Sequence, residues 1–322
     1  MLGPRLFIIY AADLADNVKE HKVNLHEYAD DTQLYIHCQP DETAAAVAVF
    51  ERCIKDVNDW MSVNRLKLNM DKTELLWVGS KYNLSKLNGS GPSLQLKSST
   101  VNSRQHVRVL GVQFSSDLSL DKHISCVSSS CFHQLRQLRR IRRSLDKESA
   151  ATLVHAFVTS RVDYCNAVFA AAPKTATDKL QRVLNAAARL ISDTWKYYQG
   201  LARLIHQDLH WLDIPERVSY KLLTRRCLLG KAPVYLSDYC TPVSQVAARQ
   251  HLRSAARHRL VVPRHRLSTY GGRAFAVAGP MTFNALPDEL RDPTVNTTTF
   301  RRLLKTHFFS SYLHVYALEV KT

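Results

Sequence analysis

Glycine and proline are scarce, at 10 and 11 residues in a chain of 322. That scarcity excludes a collagen-like repeat and a low-complexity chain built on those residues. Cysteine is neither dense nor paired in number. The seven, at positions 38, 53, 126, 131, 165, 227 and 240, contain no CxxC, which excludes a secreted disulfide framework. Cys126, Cys131 and His133 come nearest to a ligand cluster. No second pair lies at a zinc-ribbon spacing, so they read as free thiols on a helix. No run approaches the ~20 apolar residues of a membrane span. The opening residues are broken by Pro4 and Arg5, too early for a secretory signal. These absences point to a reducing compartment, cytoplasm or nucleus, to a protein that is not secreted, and to no membrane partner.

What is present is apolar material and positive charge. The chain is 45% hydrophobic, enough for two ordinary cores. Its 44 Lys and Arg against 28 Asp and Glu leave a formal charge of +16. An excess of that size points to a polyanionic partner and says nothing about fold. Its location is uneven. Residues 1–115 hold 13 basic and 13 acidic side chains, whereas residues 116–322 hold 31 and 15. A neutral first third joined to a basic remainder implies parts with different tasks.

The hydropathy pattern implies an α+β chain. Runs at 23–28 and 32–37 flank Ala29-Asp30-Asp31 and predict a β-hairpin with one solvated face. Pro40-Asp41 predicts a helix start with Asp41 as cap. Val47, Phe50, Ile54, Val57 and Met61 then recur at three- and four-residue spacing, an amphipathic helix of about twenty residues. Thr73–Val78 reads as a strand and 80–105 as loop. Val107 to Phe114 reads as a strand pair or a strand bent at Gly111. Beyond 116 the pattern is helical: 123–145, 150–169, 179–191, then a helix from Pro215 to about Leu229. Residues 249–273 carry seven Arg and no acid and read as a loosely structured linker. A basic helix at 300–309 follows.

Chemistry concentrates at Tyr28-Ala29-Asp30-Asp31. Adjacent carboxylates at a tight turn repel each other unless a divalent cation offsets the repulsion. Hard oxygen donors near a phosphate suit Mg²⁺, which retains waters and takes one or two protein carboxylates. By itself an Asp-Asp pair is equally a turn former. Its surroundings are more specific: Tyr28-Ala29-Asp30-Asp31-Thr32-Gln33-Leu34-Tyr35, a long amphipathic helix ending near Trp60, Leu68-Asn69-Met70-Asp71-Lys72-Thr73, and Val109-Leu110-Gly111-Val112.

This series resembles the second half of the reverse transcriptase domain of LINE-type (non-LTR) retrotransposons, particularly the jockey-like and chicken-repeat groups. Arg161-Val162-Asp163-Tyr164-Cys165-Asn166 and Leu209-His210-Trp211-Leu212-Asp213-Ile214-Pro215-Glu216-Arg217 resemble later parts of the same open reading frames. So do Lys231-Ala232-Pro233, Gly272-Arg273-Ala274-Phe275 and Phe283-Asn284-Ala285-Leu286-Pro287. The resemblance implies a partial palm over 1–115, a helical thumb-like region over 116–200 and a basic C-terminal region over 201–322. It implies that Asp30 and Asp31 ligate Mg²⁺, that Tyr28 lies beneath the primer terminus, and that Lys72 stands near the leaving pyrophosphate. Leu110 and Gly111 would belong to the primer-gripping hairpin, and the partners would be an RNA template and a DNA primer.

The resemblance also sets an expectation of incompleteness. The family's other essential aspartate lies on an earlier palm strand, and Asp13 and Asp16 stand too close to the hairpin to replace it. A site lacking that side cannot clamp two ions, so the expected chain is an N-terminally truncated, inactive RNA-directed DNA polymerase. The alternative is a non-catalytic basic RNA- or DNA-binding module, or a retrotransposon-derived relic. Its best candidates are Arg136, Arg139, Arg140, Arg142 and Arg143, interleaved with aliphatic residues. Guanidinium pairs well with phosphate, and ordinary exposed helices mix charge signs. Trp195-Lys196-Tyr197-Tyr198 is the one aromatic-basic cluster, and side-chain packing accounts for it as readily as binding.

Overall fold

The computed structural model describes residues 2–87, 89, 91–96, 99–265 and 270–319. The chain is α+β and divides into two compact units, Met1–Lys122 and His123–Thr322.

The first unit begins with helices α1 (Gly3–Tyr10) and α2 (Leu14–Glu20). The antiparallel hairpin β1 (Asn24–Tyr28) and β2 (Asp31–Tyr35) follows. Helix α3 (Thr43–Val63) is the spine of the unit. Its apolar residues exceed one stripe, so it serves two small cores. Cys53 and Val57 pack with Leu14, Val18 and Val23 on one side. On the other, Val47 packs with Leu75, Leu94 and Leu96, and Phe50 touches both clusters. Burying each such side chain contributes on the order of 1.5–3 kcal/mol. The helix starts at Thr43 after Glu42, whose carboxylate bonds the Gln39 N–H; Asp41 does not cap it. Its other end is closed by Asn64 Nδ2, which donates to Trp60 O at 2.9 Å.

After α3 the expected strand at 73–78 shrinks to a single parallel bridge, Leu75 with Ser103. The segment read as loop contains α4 (Lys81–Ser85) and a short hairpin, β3 (Leu94–Leu96) with β4 (Ser99–Val101). Three-residue strands are too short to show a period of two, which is why the sequence concealed them. The last hairpin is β5 (His106–Val109) with β6 (Val112–Ser115). Each of the three hairpins is its own two-stranded sheet, so no single palm-like sheet forms among the described residues.

The second unit is helical. Helix α5 (Asp121–Ile141) runs into it, followed by α6 (Lys147–Val154), α7 (Ser160–Asp163) and α8 (Lys174–Ser192). Eight residues of α8 are buried, among them Leu180, Val183, Leu184, Ala187 and Ile191. Helices α9 (Leu201–Arg203) and α10 (Ile214–Leu222) come next, with Pro215 in the first turn of α10. Gln181 of α8 accepts from Ile214 N at 3.0 Å, so residues on both sides of position 200 share a core.

The helix expected to reach Leu229 breaks instead. Leu223 turns extended, ψ 117°, and a separate α11 (Arg225–Leu228) follows. Helices α12 (Val234–Ser237), α13 (Arg253–Ala256), α14 (Phe275–Asn284), α15 (Asp288–Arg291) and α16 (Thr297–Glu319) complete the unit. The arginine-rich 249–273 stretch is more ordered than its composition implied, although 266–269 lie outside the described residues. Leu260 is 3% exposed. Asn284 clasps its backbone at both ends, accepting from Leu260 N at 2.8 Å and donating to Leu260 O at 2.9 Å. Leu260 also forms an antiparallel bridge with Pro242, so this part of the stretch is a packed, strand-like crossing.

Candidate functional site

The Asp-Asp turn sits where the hairpin pattern put it, one residue shorter. Tyr28 pairs with Asp31 in the β1–β2 register, so only Ala29 and Asp30 form the turn and Asp31 opens β2. Residues opposite each other in an antiparallel pair share a face. Leu25 and Leu34, a paired couple, face the core cluster around Val57. Asn24, His26, Tyr28, Asp31, Gln33 and Tyr35 therefore occupy the other face. On it, His26 stacks on Tyr35 with ring centroids 5.1 Å apart, and Tyr28 is 68% exposed. Asp30 and Asp31 are exposed at its tip.

Ala29 takes φ +55°. A side chain in the left-handed region costs on the order of 1 kcal/mol or more. The turn thus holds its carboxylates at the expense of local strain. The tip of the β5–β6 hairpin is also left-handed. Val109 pairs with Val112, leaving Leu110 at φ +45° and Gly111 at φ +83°. Here both loop residues are left-handed, as in a type I′ turn, whereas at the β1–β2 tip only Ala29 is. Glycine accommodates this freely and leucine does not.

Lys72 lies in the short 3₁₀ turn Met70–Lys72, its side chain exposed. Asn69 caps that turn through Oδ1, accepting from Lys72 N at 3.3 Å, and Thr73 Oγ1 donates to Asn69 O at 3.0 Å. The Leu-Asn-x-x-Lys-Thr run is therefore a self-capped turn. The structure brings Tyr28, Asp30 and Asp31 together and Leu110 and Gly111 together. It records no hydrogen bond or ion pair from Lys72 to either aspartate among the described residues.

Asp30 and Asp31 offer exposed hard-oxygen donors, the chemistry a Mg²⁺ ion takes. Among the described residues no group of three or more His, Cys, Asp or Glu is assembled. The pair fits one side of a divalent-cation site, as the two carboxylates that would hold the ion.

The arginine cluster splits in two. Arg136, Arg139 and Arg140 on α5 and Arg143 in the 3₁₀ turn Arg142–Ser144 that follows are exposed and spaced 3, 1 and 3, a helical face. The opposite face buries Cys131, Leu135 and Leu138. Arg142 continues that buried spacing rather than the exposed one. Its guanidinium donates to Leu190 O at 2.7 Å, Ile191 O at 2.8 Å and Leu145 O at 2.7 Å. The first two carbonyls end α8, where backbone acceptors lack helical partners and the dipole favours a cation. Arg142 is a helix cap, and its place in the 131–135–138–142 rhythm was the signal.

Three further arginines act similarly. Arg217 bonds Asp163 Oδ2 and Leu212 O, both at 2.7 Å. Arg225, 7% exposed, bonds the carbonyls of Asp292 and Val295 and lies over the Phe300 ring. Arg291, 4% exposed, reaches Arg257 O, Asn284 O, Leu286 O and Asp288.

A buried polar network joins α8 to α10. Asp213 accepts from Gln181 Nε2 at 2.8 Å and stands 3.5 Å from His206 Nε2. The His206 ring stacks on Tyr312 at 3.6 Å. Burial pushes the Asp213 carboxyl above its ordinary value, opposed by His206. Nothing local in the sequence announces this long-range contact.

No curated protein and no solved structure matches the chain. Residues 1–114 match the family model described as reverse transcriptase (RNA-dependent DNA polymerase). That match ends inside β6 and supports a reverse-transcriptase reading of the segment that carries Tyr28, Asp30, Asp31, Lys72, Leu110 and Gly111.

Proposed function

We propose that the segment matched as reverse transcriptase is the C-terminal part of the palm of a LINE-type (non-LTR) enzyme of the jockey-like or chicken-repeat kind. In this reading the helical unit holds RNA template and DNA primer. The observation that carries it is the exposed Tyr28–Asp31 turn, strained at Ala29, inside the matched segment. Asp30 and Asp31 would hold a Mg²⁺ ion, which when bound neutralises charge on a nucleoside triphosphate. Tyr28, flat and exposed beside them, would support the primer end. Lys72 would offer a cation toward the leaving group.

In this reading these 322 residues do not extend primers by themselves, because two adjacent carboxylates hold one side of a two-ion clamp and among the described residues no third donor joins them. The test is primer extension on an RNA template with Mg²⁺ or Mn²⁺. Extension that disappears in Asp30→Ala refutes this inactivity; the absence of extension supports it.

A non-catalytic RNA- or DNA-binding module is favoured by one separate observation, the exposed face of Arg136, Arg139, Arg140 and Arg143. Four guanidinium groups on one helix side suit a phosphate backbone and carry no sequence information.

A further inference from the structure

We infer that the loop after α8 is a base-stacking platform for single-stranded nucleic acid, with the exposed arginines of α5 as its phosphate-binding flank. The inference deepens the reading that the helical unit binds nucleic acid, and rests on it.

The loop's aromatic rings are not packed away. Trp195 is 67% exposed and Tyr197 69%. Two large aromatic rings adjacent in the loop therefore offer their faces to a flat ligand. Their centroids lie 6.0 Å apart with the planes at 70°, so the two rings are splayed rather than stacked on each other. Tyr198 lies against Gly200, where an added Cβ would meet its hydroxyl at 2.6 Å. Tyr198 N also donates to Trp195 O at 3.2 Å, closing a turn that holds the rings side by side.

Cations surround the loop. Lys196 Nζ stands 5.3 Å from the centre of the Tyr197 ring. Between 189 and 204 there are Arg189, Lys196 and Arg203 against the single acid Asp193. The link to α5 is direct. Arg142 bonds the carbonyls of Leu190 and Ile191, and Trp195 follows Ile191 by four residues, at most about 14 Å of chain. Thr194 N, bonded back to Arg189 O at 3.0 Å, keeps the path compact. Arg142 thus ties the C-terminal end of α5 to the end of α8 from which the aromatic loop issues.

Exposed aromatic faces beside a run of cations form the arrangement that binds single strands with little sequence preference, because every base has a π-face and every nucleotide a phosphate. A duplex hides its bases and cannot use the rings. Inorganic polyphosphate can use the cations alone.

The experiment is fluorescence anisotropy on the full chain with labelled oligo(U) and oligo(dT) of twelve nucleotides, an RNA duplex, and polyphosphate as competitor. Trp195→Leu/Tyr197→Leu, at exposed positions, is compared with Arg139→Gln/Arg140→Gln, each variant checked by its thermal melt. The stacking variant is expected to lose affinity for both oligonucleotides by 10- to 100-fold on the order of. Its polyphosphate competition and the salt slope of its residual binding should not change. The arginine variant is expected to flatten the slope and weaken every probe. A stacking variant that binds oligonucleotides like the parent overturns the platform and leaves the electrostatic reading standing. A stacking variant that loses polyphosphate equally also overturns it. No binding of any probe by the parent chain at low salt removes both. If only oligo(U) responds, the platform stands and prefers RNA; if only oligo(dT) responds, it stands and prefers DNA.

Discussion

Arg142 and Arg139 lie three residues apart in one basic run, and replacing each with methionine should give opposite results. Arg142→Met keeps the aliphatic volume and removes the guanidinium. Three hydrogen bonds of 2.7–2.8 Å disappear, and the last carbonyls of α8 lose their cation. A hydrogen bond from a charged group contributes about 1.5–3 kcal/mol. Arg142 is half-buried, however, so water replaces part of what is lost, and a helix-end cation contributes up to ~2 kcal/mol. The net loss works out at about 3 kcal/mol. With a urea slope of about 2–3 kcal/mol/M, the unfolding midpoint of the helical unit should fall by about 1–1.5 M. Arg139→Met, fully outside the core, should stay within about 0.5 kcal/mol of the parent. Urea titration followed by far-UV circular dichroism reads this unit, which holds most of the helix. RNA affinity against salt reads the complementary effect. Arg139→Met should reduce the salt slope by about 1, whereas folded Arg142→Met should leave it unchanged. Equal midpoints for the two variants would refute the capping role. A reduced slope for Arg142→Met would place its guanidinium on phosphate.

Two other outcomes follow from strain and burial. Leu110→Gly, at φ +45°, should stabilise the first unit by up to about 1 kcal/mol, the relieved left-handed strain less the backbone entropy that glycine adds to the unfolded chain; a thermal melt that falls instead refutes the strain argument. Burial pushes Cys53 and Cys131 up to about 11 and Cys240 up to about 12. Their neutral thiols are favoured in the folded state, so their contribution to stability is complete below about 9 and declines as pH rises from 9 toward 11 or 12. At pH 8 a thiol-specific disulfide reagent should label exposed Cys126 and Cys165 first and these three only on unfolding; prompt labelling of Cys131 would contradict its burial.

The hairpin at 24–35, the helix at 43–63 and the turn at Leu110-Gly111 were legible because local pattern decides them. Alternation, a three-and-four rhythm and a glycine at a tight loop all act over a few residues. The strand expected at 73–78 fails because a strand needs a partner, and only Leu75 finds one. The break after Leu222 has no glycine or proline to announce it. It follows from Thr224 and Arg225 being drawn into buried positions, 1% and 7% exposed, Thr224 beside Gly279 of α14 and Arg225 against the α15–α16 turn. The 249–273 stretch looked disordered because its order comes from Asn284 and Arg291, farther along the chain. Tyr28, Asp30 and Asp31 were visible as a motif. The shared exposed face of Tyr28 and Asp31, with Asp30 at the turn, and the strain at Ala29 depend on the hairpin register and backbone angles that no motif specifies.

The charge of +16 divides on the same principle. As a total it pointed to a polyanionic partner, and as a map it pointed to the helical unit. The coordinates show that part of the excess is internal. Arg142, Arg217, Arg225 and Arg291 each direct the guanidinium at backbone carbonyls, chiefly at helix ends and turns. A chain with 10 glycines has few glycine caps to close its helices. A guanidinium, with five donors in a plane, can satisfy several orphan carbonyls from a distance. Scarce glycine and abundant arginine are therefore linked in this fold. The arginines left over for a partner are those whose spacing sets them opposite the buried stripe. These are Arg136, Arg139 and Arg140 on α5 and Arg143 in the 3₁₀ turn that follows it, whose neighbour Arg142 is engaged at the end of α8.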